Sequence, residues 1–430
     1  MFNLICLCAL NMMLAACDKT PSDTNNNPPE DELVNLNHLN YLYTPVTFSD
    51  GTKAGGIWIY CEAPDYHFVD AAGEGFTCID DVARAVLVYV RSPKFSTDTS
   101  IQSKTFNLIR FILEMQSDNG FFYNFIFSSG LINKSGSTST NNENWWSWRA
   151  LQALTEASPI VKTVDASLSS EMDNAVNNLV NRIKLEMTNV PQTTKVVEGI
   201  TVPQWLPVGS ATDQAALLIV GLIPYCQTTG DATIKDYIKK LADGIVMMQV
   251  GDSTHYPYSC FLSWENTWHA YANIQAWALM KAGAFLNEQQ YTDAGLAEVE
   301  NFYPWILANG YKASFAVSKS NDMYSQMNQS SYEQIAYGVS PMVFSAVEAY
   351  KITNDEKYAD IAGHLAAWFL GDNVSNVNMY DITTGRCYDG INQSGVNLNS
   401  GAESTIEALL ALQMVVNYPS VKTALDKYKN

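Results

Sequence analysis

From about residue 76 onward the chain alternates between two kinds of helix-forming stretch, and this alternation constrains the fold more than any other feature. The first of each pair is apolar nearly all round: VARAVLVYV, WSWRALQAL, DQAALLIVGLIPY, NIQAWALMKAGAFL, IAYGVSPMVFSAVEAY and TIEALLALQMVV. The second is striped: TFNLIRFILEMQ, MDNAVNNLVNRIKLEM, TIKDYIKKLADGIVMMQ, YTDAGLAEVENFYPWIL, KYADIAGHLAAWFL and SVKTALDKY. A helix apolar on every side is buried, whereas a striped one lies at a surface. Six such hairpins, recurring about every 50–70 residues, predict a closed all-α double ring of six inner helices within six outer ones. No convincing run of alternating strands interrupts them.

The inner helices also begin alike. Thr77-Cys78-Ile79-Asp80, Thr140-Asn141-Asn142-Glu143, Ser210-Ala211-Thr212-Asp213, Ser330-Ser331-Tyr332-Glu333 and Ser400-Gly401-Ala402-Glu403 fit S/T-x-x-D/E, and only the start near Glu265 departs. The pattern reads as a capping box, in which a hydroxyl and a carboxylate satisfy each other's backbone amides. The carboxylate also suits the positive end of the helix dipole. In a ring of parallel inner helices, all six starts open on one face. Their carboxylates would then converge on a central pit, a place for a ligand with many hydroxyls.

In GEGFTCIDDVARA, MQSDNGFFYNF, SWENTWHAYANIQAWA and NSGAESTIEALLAL, and in its periodicity over residues 40–430, the chain resembles the six-hairpin glycosidase superfamily. That resemblance implies an (α/α)6 toroid and a carbohydrate-active enzyme, most simply a glycoside hydrolase using pit carboxylates. Toroids of similar shape also serve polysaccharide lyases and sugar epimerases, and a non-catalytic glycan-binding protein is the reading from another class. The chain lacks the DAGD signature of one glucanase group, so the resemblance names no substrate.

Glycoside hydrolysis needs a protonated carboxyl for the leaving oxygen and a second carboxylate for water or direct attack. Asp80 and Asp81 at the first inner start are candidates for the base, with Arg84 at ion-pair spacing from both. Glu403, across the pit among Gly401, Ala402 and Ile406, is the first candidate for the acid. Glu74, between two glycines, is the second. For each of these the competing reading is structural: a helix start or a local ion pair. Glu143, Asp213, Glu265 and Glu333 are further pit candidates. Sugar rings stack their C–H faces on aromatic planes, which brings in Trp145 and Trp148 of NNENWWSWRAL, Trp268 beside Glu265, and Tyr388 with Asp389 in GRCYDGI. Arg84, Arg149 and Arg386 could serve a lyase by neutralising a uronate. No histidine pair has metal spacing, no H-E-x-x-H, G-x-S-x-G or glycine-rich phosphate loop occurs, and no cofactor or metal is expected. GDNVSNVNMYD, with Asp372, Asn373 and Asp381, lacks the regular spacing of a calcium loop.

With 25 basic against 44 acidic residues the net charge is −19. Such a field argues against nucleic acid or anionic lipid surfaces as partners and favours a neutral ligand. The N-terminal MFNLICLCALNMMLAACDKT has a short apolar run ending in LAAC, as in a bacterial lipoprotein signal. Residues 1–16 then read as a signal peptide, Cys17 as the lipidated residue, 17–39 as a linker-like tether and 40–430 as the catalytic domain. The expectation is a lipid-anchored, monomeric envelope protein that meets the membrane only through its lipid. The other cysteines, Cys61, Cys78, Cys226, Cys260 and Cys387, show no metal spacing and read as buried small hydrophobes.

Overall fold

The computed structural model describes residues 33–429; the signal and lipidation expectations, Cys17 included, lie outside the described residues. The helices run α1 (Asn37–Leu42), α2 (Ile79–Val90), α3 (Thr99–Glu114), α4 (Trp145–Val161), α5 (Ala166–Asn189), α6 (Thr212–Thr229) and α7 (Ala232–Met247). They continue as α8 (Gln275–Leu286), α9 (Gln289–Ala297), α10 (Tyr303–Ala308), α11 (Ala336–Thr353), α12 (Glu356–Ala367), α13 (Ala402–Val416) and α14 (Pro419–Tyr428).

The double ring is present. α2, α4, α6, α8, α11 and α13 each pack on the next, and α13 returns to α2, closing the inner ring. Each also packs on the helix that follows it, α3, α5, α7, α9, α12 or α14, which forms the outer ring. Burial follows the two sequence classes. Every residue of α2 except Asp80 is buried, as is Ala336–Ala349 of α11 without a break. α3 buries only the stripe Ile101, Thr105, Leu108, Ile109, Phe111 and Ile112.

Three expectations need correction. The capping boxes do not form: no inner helix has a side-chain cap. Their hydroxyls are engaged elsewhere, Thr77 Oγ1 accepting from Ile57 N at 2.9 Å and Ser210 Oγ accepting from Glu265 N at 3.2 Å. The capped helices are outer ones, where Asp98, Asp165, Asp231 and Asp355 accept from first-turn amides. Second, the segments that precede the inner helices hold short antiparallel strands. The largest group is a sheet of Thr267–His269, Ser314–Ser320 and Met323–Ser330, joined through Lys319 N to Glu198 O (2.8 Å) with the hairpin Thr194–Val197/Ile200–Pro203. Most strands here are two to five residues long, and Met323–Ser330 is polar and exposed on both faces, so no clear alternation marks them. Third, the domain begins before residue 40. Leu33, Leu36 and Leu39 are buried, and His38 Nε2 lies 2.9 Å from Ser400 O, so residues 33–39 belong to the toroid rather than to a tether.

Candidate active site

The starts of three inner helices explain the site. α2, α6 and α13 begin one residue later than the capping-box reading placed them, with Cys78, Ala211 and Gly401 as N-cap residues. Asp80, Asp213 and Glu403 therefore occupy the same second helical position in three units of the ring. Freed from capping duty, they turn to side chains.

Arg84 is the hub. Its guanidinium is buried and donates to Asp81 Oδ1 (2.8 Å), Asp80 Oδ2 (3.0 Å), Glu403 Oε2 (3.3 Å) and Glu407 Oε1 (2.6 Å), with Nε to Asp80 O (3.0 Å). Arg149 of α4 brings a second cation, its Nε 2.7 Å from Asp80 Oδ1 as an ion pair without hydrogen-bond alignment. Beneath both lies Tyr337 of α11: the two guanidinium carbons sit 5.0 and 4.8 Å from its ring centroid, and its hydroxyl accepts from Arg149. Ser340 completes the floor by donating to Glu407. Four carboxylates thus face two guanidiniums, an imbalance that favours retained protons.

The carboxylates are not equivalent. Asp81 is buried, accepts from Cys78 Sγ at 3.3 Å, and burial lifts its pKa despite Arg84. Glu403 keeps 42% of its side chain open to solvent, yet it sits deep in the concavity with protein on all other sides. That surrounding protein, with the charges of Asp81, Asp80 and Glu407, outweighs Arg84 and pushes its pKa up to about 7. Asp80 is a quarter exposed and touches both guanidiniums.

A second group stands beside the hub. Asp213 Oδ2 lies 3.1 Å from His269 Nε2, and His269 Nδ1 lies 3.0 Å from Tyr271 O. Both ring nitrogens face acceptors, and burial raises the pKa of Asp213. The imidazole stacks on Tyr271 (centroids 3.7 Å apart, planes 9° apart), whose ring is 45% exposed and lies 6.4 Å from both Trp145 and Tyr337. Tyr271 is thus a propped aromatic plane on the pit wall.

The structure brings together Asp80, Asp81, Arg84, Glu403, Asp213 and Trp145 from among the residues singled out in the sequence. The others stand apart. Glu74 accepts from Thr138 Oγ1 (2.6 Å) on the loop before α2. Glu143 precedes α4 and feels Arg182 and Glu186 of the outer helix α5. Glu265 pairs with Lys195 on the rim, because α8 starts ten residues later. Glu333 is exposed, two residues before the N-cap of α11. Trp148 is core, donating to Gln214 Oε1 (3.0 Å), and Trp268 stacks in the core on Phe315. Asp389 accepts from Gly401 N and Ser404 Oγ, both at 2.8 Å, and so fixes the start of α13. Tyr388, half-buried, packs against the hydrophobic core. Arg386 lies over Tyr66 (4.0 Å), away from the hub. Of the run 372–381, Asp372 pairs with His364 (2.9 Å) and Asp381 accepts from Thr383 and Thr384. The five cysteines among the described residues are free and buried.

Sequence reasoning missed Glu407, Tyr337 and Tyr271 as parts of the site. A signal existed for Glu407, a carboxylate one turn after Glu403 in an otherwise apolar helix. For the tyrosines there was none.

No family model matches the chain, and no curated protein matches it. Solved structures do. A sugar epimerase from a ruminal bacterium superposes with a TM-score of 0.61 at 12% identity, over 90% of this chain and 97% of that one. The cellobiose 2-epimerase of Bacillus thermoamylovorans B4167 gives 0.56 at 13%, over 83% and 92%. The glycoside hydrolase family 9 endoglucanase J30 gives 0.50 at 12%, over 88% and 78%. The chain has the (α/α)6 toroid fold of these structures.

Proposed function

We propose that the protein is a carbohydrate-active enzyme, and within that class a glycoside hydrolase, with Glu403 as general acid and Asp80 as the anionic partner. The observation that carries this reading is the four-carboxylate cluster on Arg84, with Glu403 alone both open to the pit and raised to about 7. A carboxyl near neutrality can hold a proton for the leaving oxygen, while Asp80, held against two guanidiniums, can act as an anion. The similar toroids include an endoglucanase and sugar epimerases. An epimerase needs a free acid/base pair across the sugar carbon; the pit histidine, His269, has both nitrogens engaged, which favours carboxylate chemistry.

Spacing suggests the stereochemistry. Asp80 Oδ2 and Glu403 Oε2 touch one Arg84 nitrogen at 3.0 and 3.3 Å. They are therefore no more than about 6.3 Å apart, nearer to the roughly 5–5.5 Å of a retaining site than to the wider gap that admits water in an inverting one. In the reading we favour, Asp80 attacks the anomeric carbon and Glu403 protonates the departing oxygen. Glu403 then takes a proton from the water that cleaves the ester, and the anomeric configuration is retained. Since Arg84 is engaged by four carboxylates and Arg149 by Asp80 and the Tyr337 hydroxyl, neither is left free for a uronate, and a neutral glycan fits best.

The test is release of reducing ends from a panel of neutral oligosaccharides by the purified protein, with Glu403→Gln and Asp80→Asn beside it. We expect each variant to lose a factor on the order of 10²–10⁴ in turnover while remaining folded. Proton NMR of the first product formed should show the substrate's anomer. Normal turnover by both variants overturns the assignment. An isomerised sugar with no new reducing end would make the protein an epimerase instead.

A further inference from the structure

The far end of the ring, where the inner helices finish, holds a second cavity of about 610 Å³. Its charged lining is Arg91, Glu156, Lys281, Glu348 and Lys351, three cations against two carboxylates in a chain whose net charge is −19. Two of the cations are accounted for. Arg91, the C-cap residue of α2, pairs with Glu156 at 2.7 Å, and Lys351, in the last turn of α11, pairs with Glu348 at 3.1 Å. Both also face the negative ends of helix dipoles.

Lys281 is different. It lies in the body of α8, outside the last turn, and among the described residues no carboxylate comes within 4.0 Å of its amine. Its Nζ sits 4.8 Å from the ring centroid of Trp277, and burial lowers its pKa against the pull of Glu348 and Glu156. Trp277, one turn earlier in α8 and 5% exposed, walls the same cavity, and its buried Nε1–H has no hydrogen-bond partner among the described residues. Leaving the buried indole donor unmatched is costly, and the half-buried Lys281 brings a positive charge to the same cavity without a paired carboxylate. Two adjacent donors without an acceptor call for an acceptor-only group, and the 4.8 Å between Nζ and the indole ring is a span that one carboxylate can bridge. Val220, Ile223 and Phe285 give the rest of the cavity an apolar wall.

We propose that this basal cavity binds a small organic monocarboxylate. Its oxygens accept from Lys281 Nζ and Trp277 Nε1, and its apolar body lies on Val220, Ile223 and Phe285. One unpaired cation sets the single charge, and the wall sets the hydrocarbon part. The site is independent of the pit chemistry.

Titration calorimetry at neutral pH with benzoate, benzyl alcohol and inorganic phosphate tests each element. Benzoate should bind the wild-type protein. The alcohol, which lacks the charge, and phosphate, which lacks the apolar body, should each bind at least about tenfold more weakly. Lys281→Met should weaken benzoate at least about tenfold, and Trp277→Phe, which keeps the ring and deletes only the donor, by a few-fold. Should Lys281→Met fail to fold, Trp277→Phe and the alcohol comparison still decide. Glu403→Gln should bind benzoate as the wild type does, whatever the pit turns out to catalyse. Absence of benzoate binding to the wild type, unchanged binding in both cavity variants, or equal affinity for alcohol or phosphate overturns the proposal.

Discussion

Glu403 shows how one side chain's environment assigns its chemistry. It shares a helix position with Asp80 and Asp213, yet each meets a different surrounding: two guanidiniums for Asp80, an imidazole for Asp213, and three neighbouring carboxylates for Glu403. A general acid works only while protonated. With Glu403 raised to about 7, glycan cleavage should fall as pH rises through about 7, and Glu403→Gln should abolish the activity that shows this limb. A rate that stays level from about pH 6 to 9 would remove Glu403 from that role. The residue type was legible in the sequence, since Asp80, Asp81, Arg84 and Glu403 all proved to be neighbours. The upward shift at Glu403 was not, because it arises from burial and from the neighbouring carboxylates, Glu407 among them, that only folding brings around Arg84.

At the level of elements, the two rings differ in how their helices start. Outer helices carry aspartate caps, and Asp165→Ala should cost about 1 kcal/mol in chemical denaturation as the Leu168 amide loses its acceptor at 3.0 Å. Thr140→Ala, at a start where the sequence suggests a cap but α4 begins at Trp145, should cost less than about 0.5 kcal/mol. The π-helical turn Glu298–Phe302 supplies a sharper case. Glu298 is fully buried, accepts from Phe261 N at 2.8 Å and from Tyr303 Oη at 3.3 Å, and burial raises its pKa from 4.5 to about 8. The folded protein therefore keeps a proton that the unfolded chain has already released. Stability from this group is greatest below about pH 4.5 and declines as pH climbs to about 8. Glu298→Gln should flatten that part of the decline, as thermal melts at about pH 5 and pH 8 would show. A wild-type slope surviving intact in the variant would refute the assignment.

Across the whole molecule, closure of the ring places all inner-helix starts on one face and all their ends on the other. The two faces acquire opposite characters: carboxylate-rich at the pit, with a surplus cation at the base. A third feature lies beyond the toroid. We propose that LAAC and the polar stretch after it make the chain a lipoprotein anchored through Cys17. Cys17→Ser should then shift the protein from the detergent phase to the aqueous phase in a membrane extraction, and equal partition of the two forms would refute anchoring.

The sequence by itself determined the ring. Helices apolar on all sides can be stable only when other helices surround them, and six such segments alternating with six striped ones leave few arrangements besides two concentric layers. It also determined that carboxylates gather at one mouth, because parallel inner helices share a direction. Only the tertiary structure decided which carboxylates these are. α8 begins at Gln275 and α11 at Ala336, so Glu265 and Glu333 fall on the rim, while Glu143 drops outward toward Arg182. Helix starts shift with local hydrogen bonding, and a shift of one residue turns a side chain by about 100° around the axis. Contacts between residues hundreds of positions apart, such as Arg84 with Glu403 and Glu407, have no local periodicity to announce them; they exist because the ring closes.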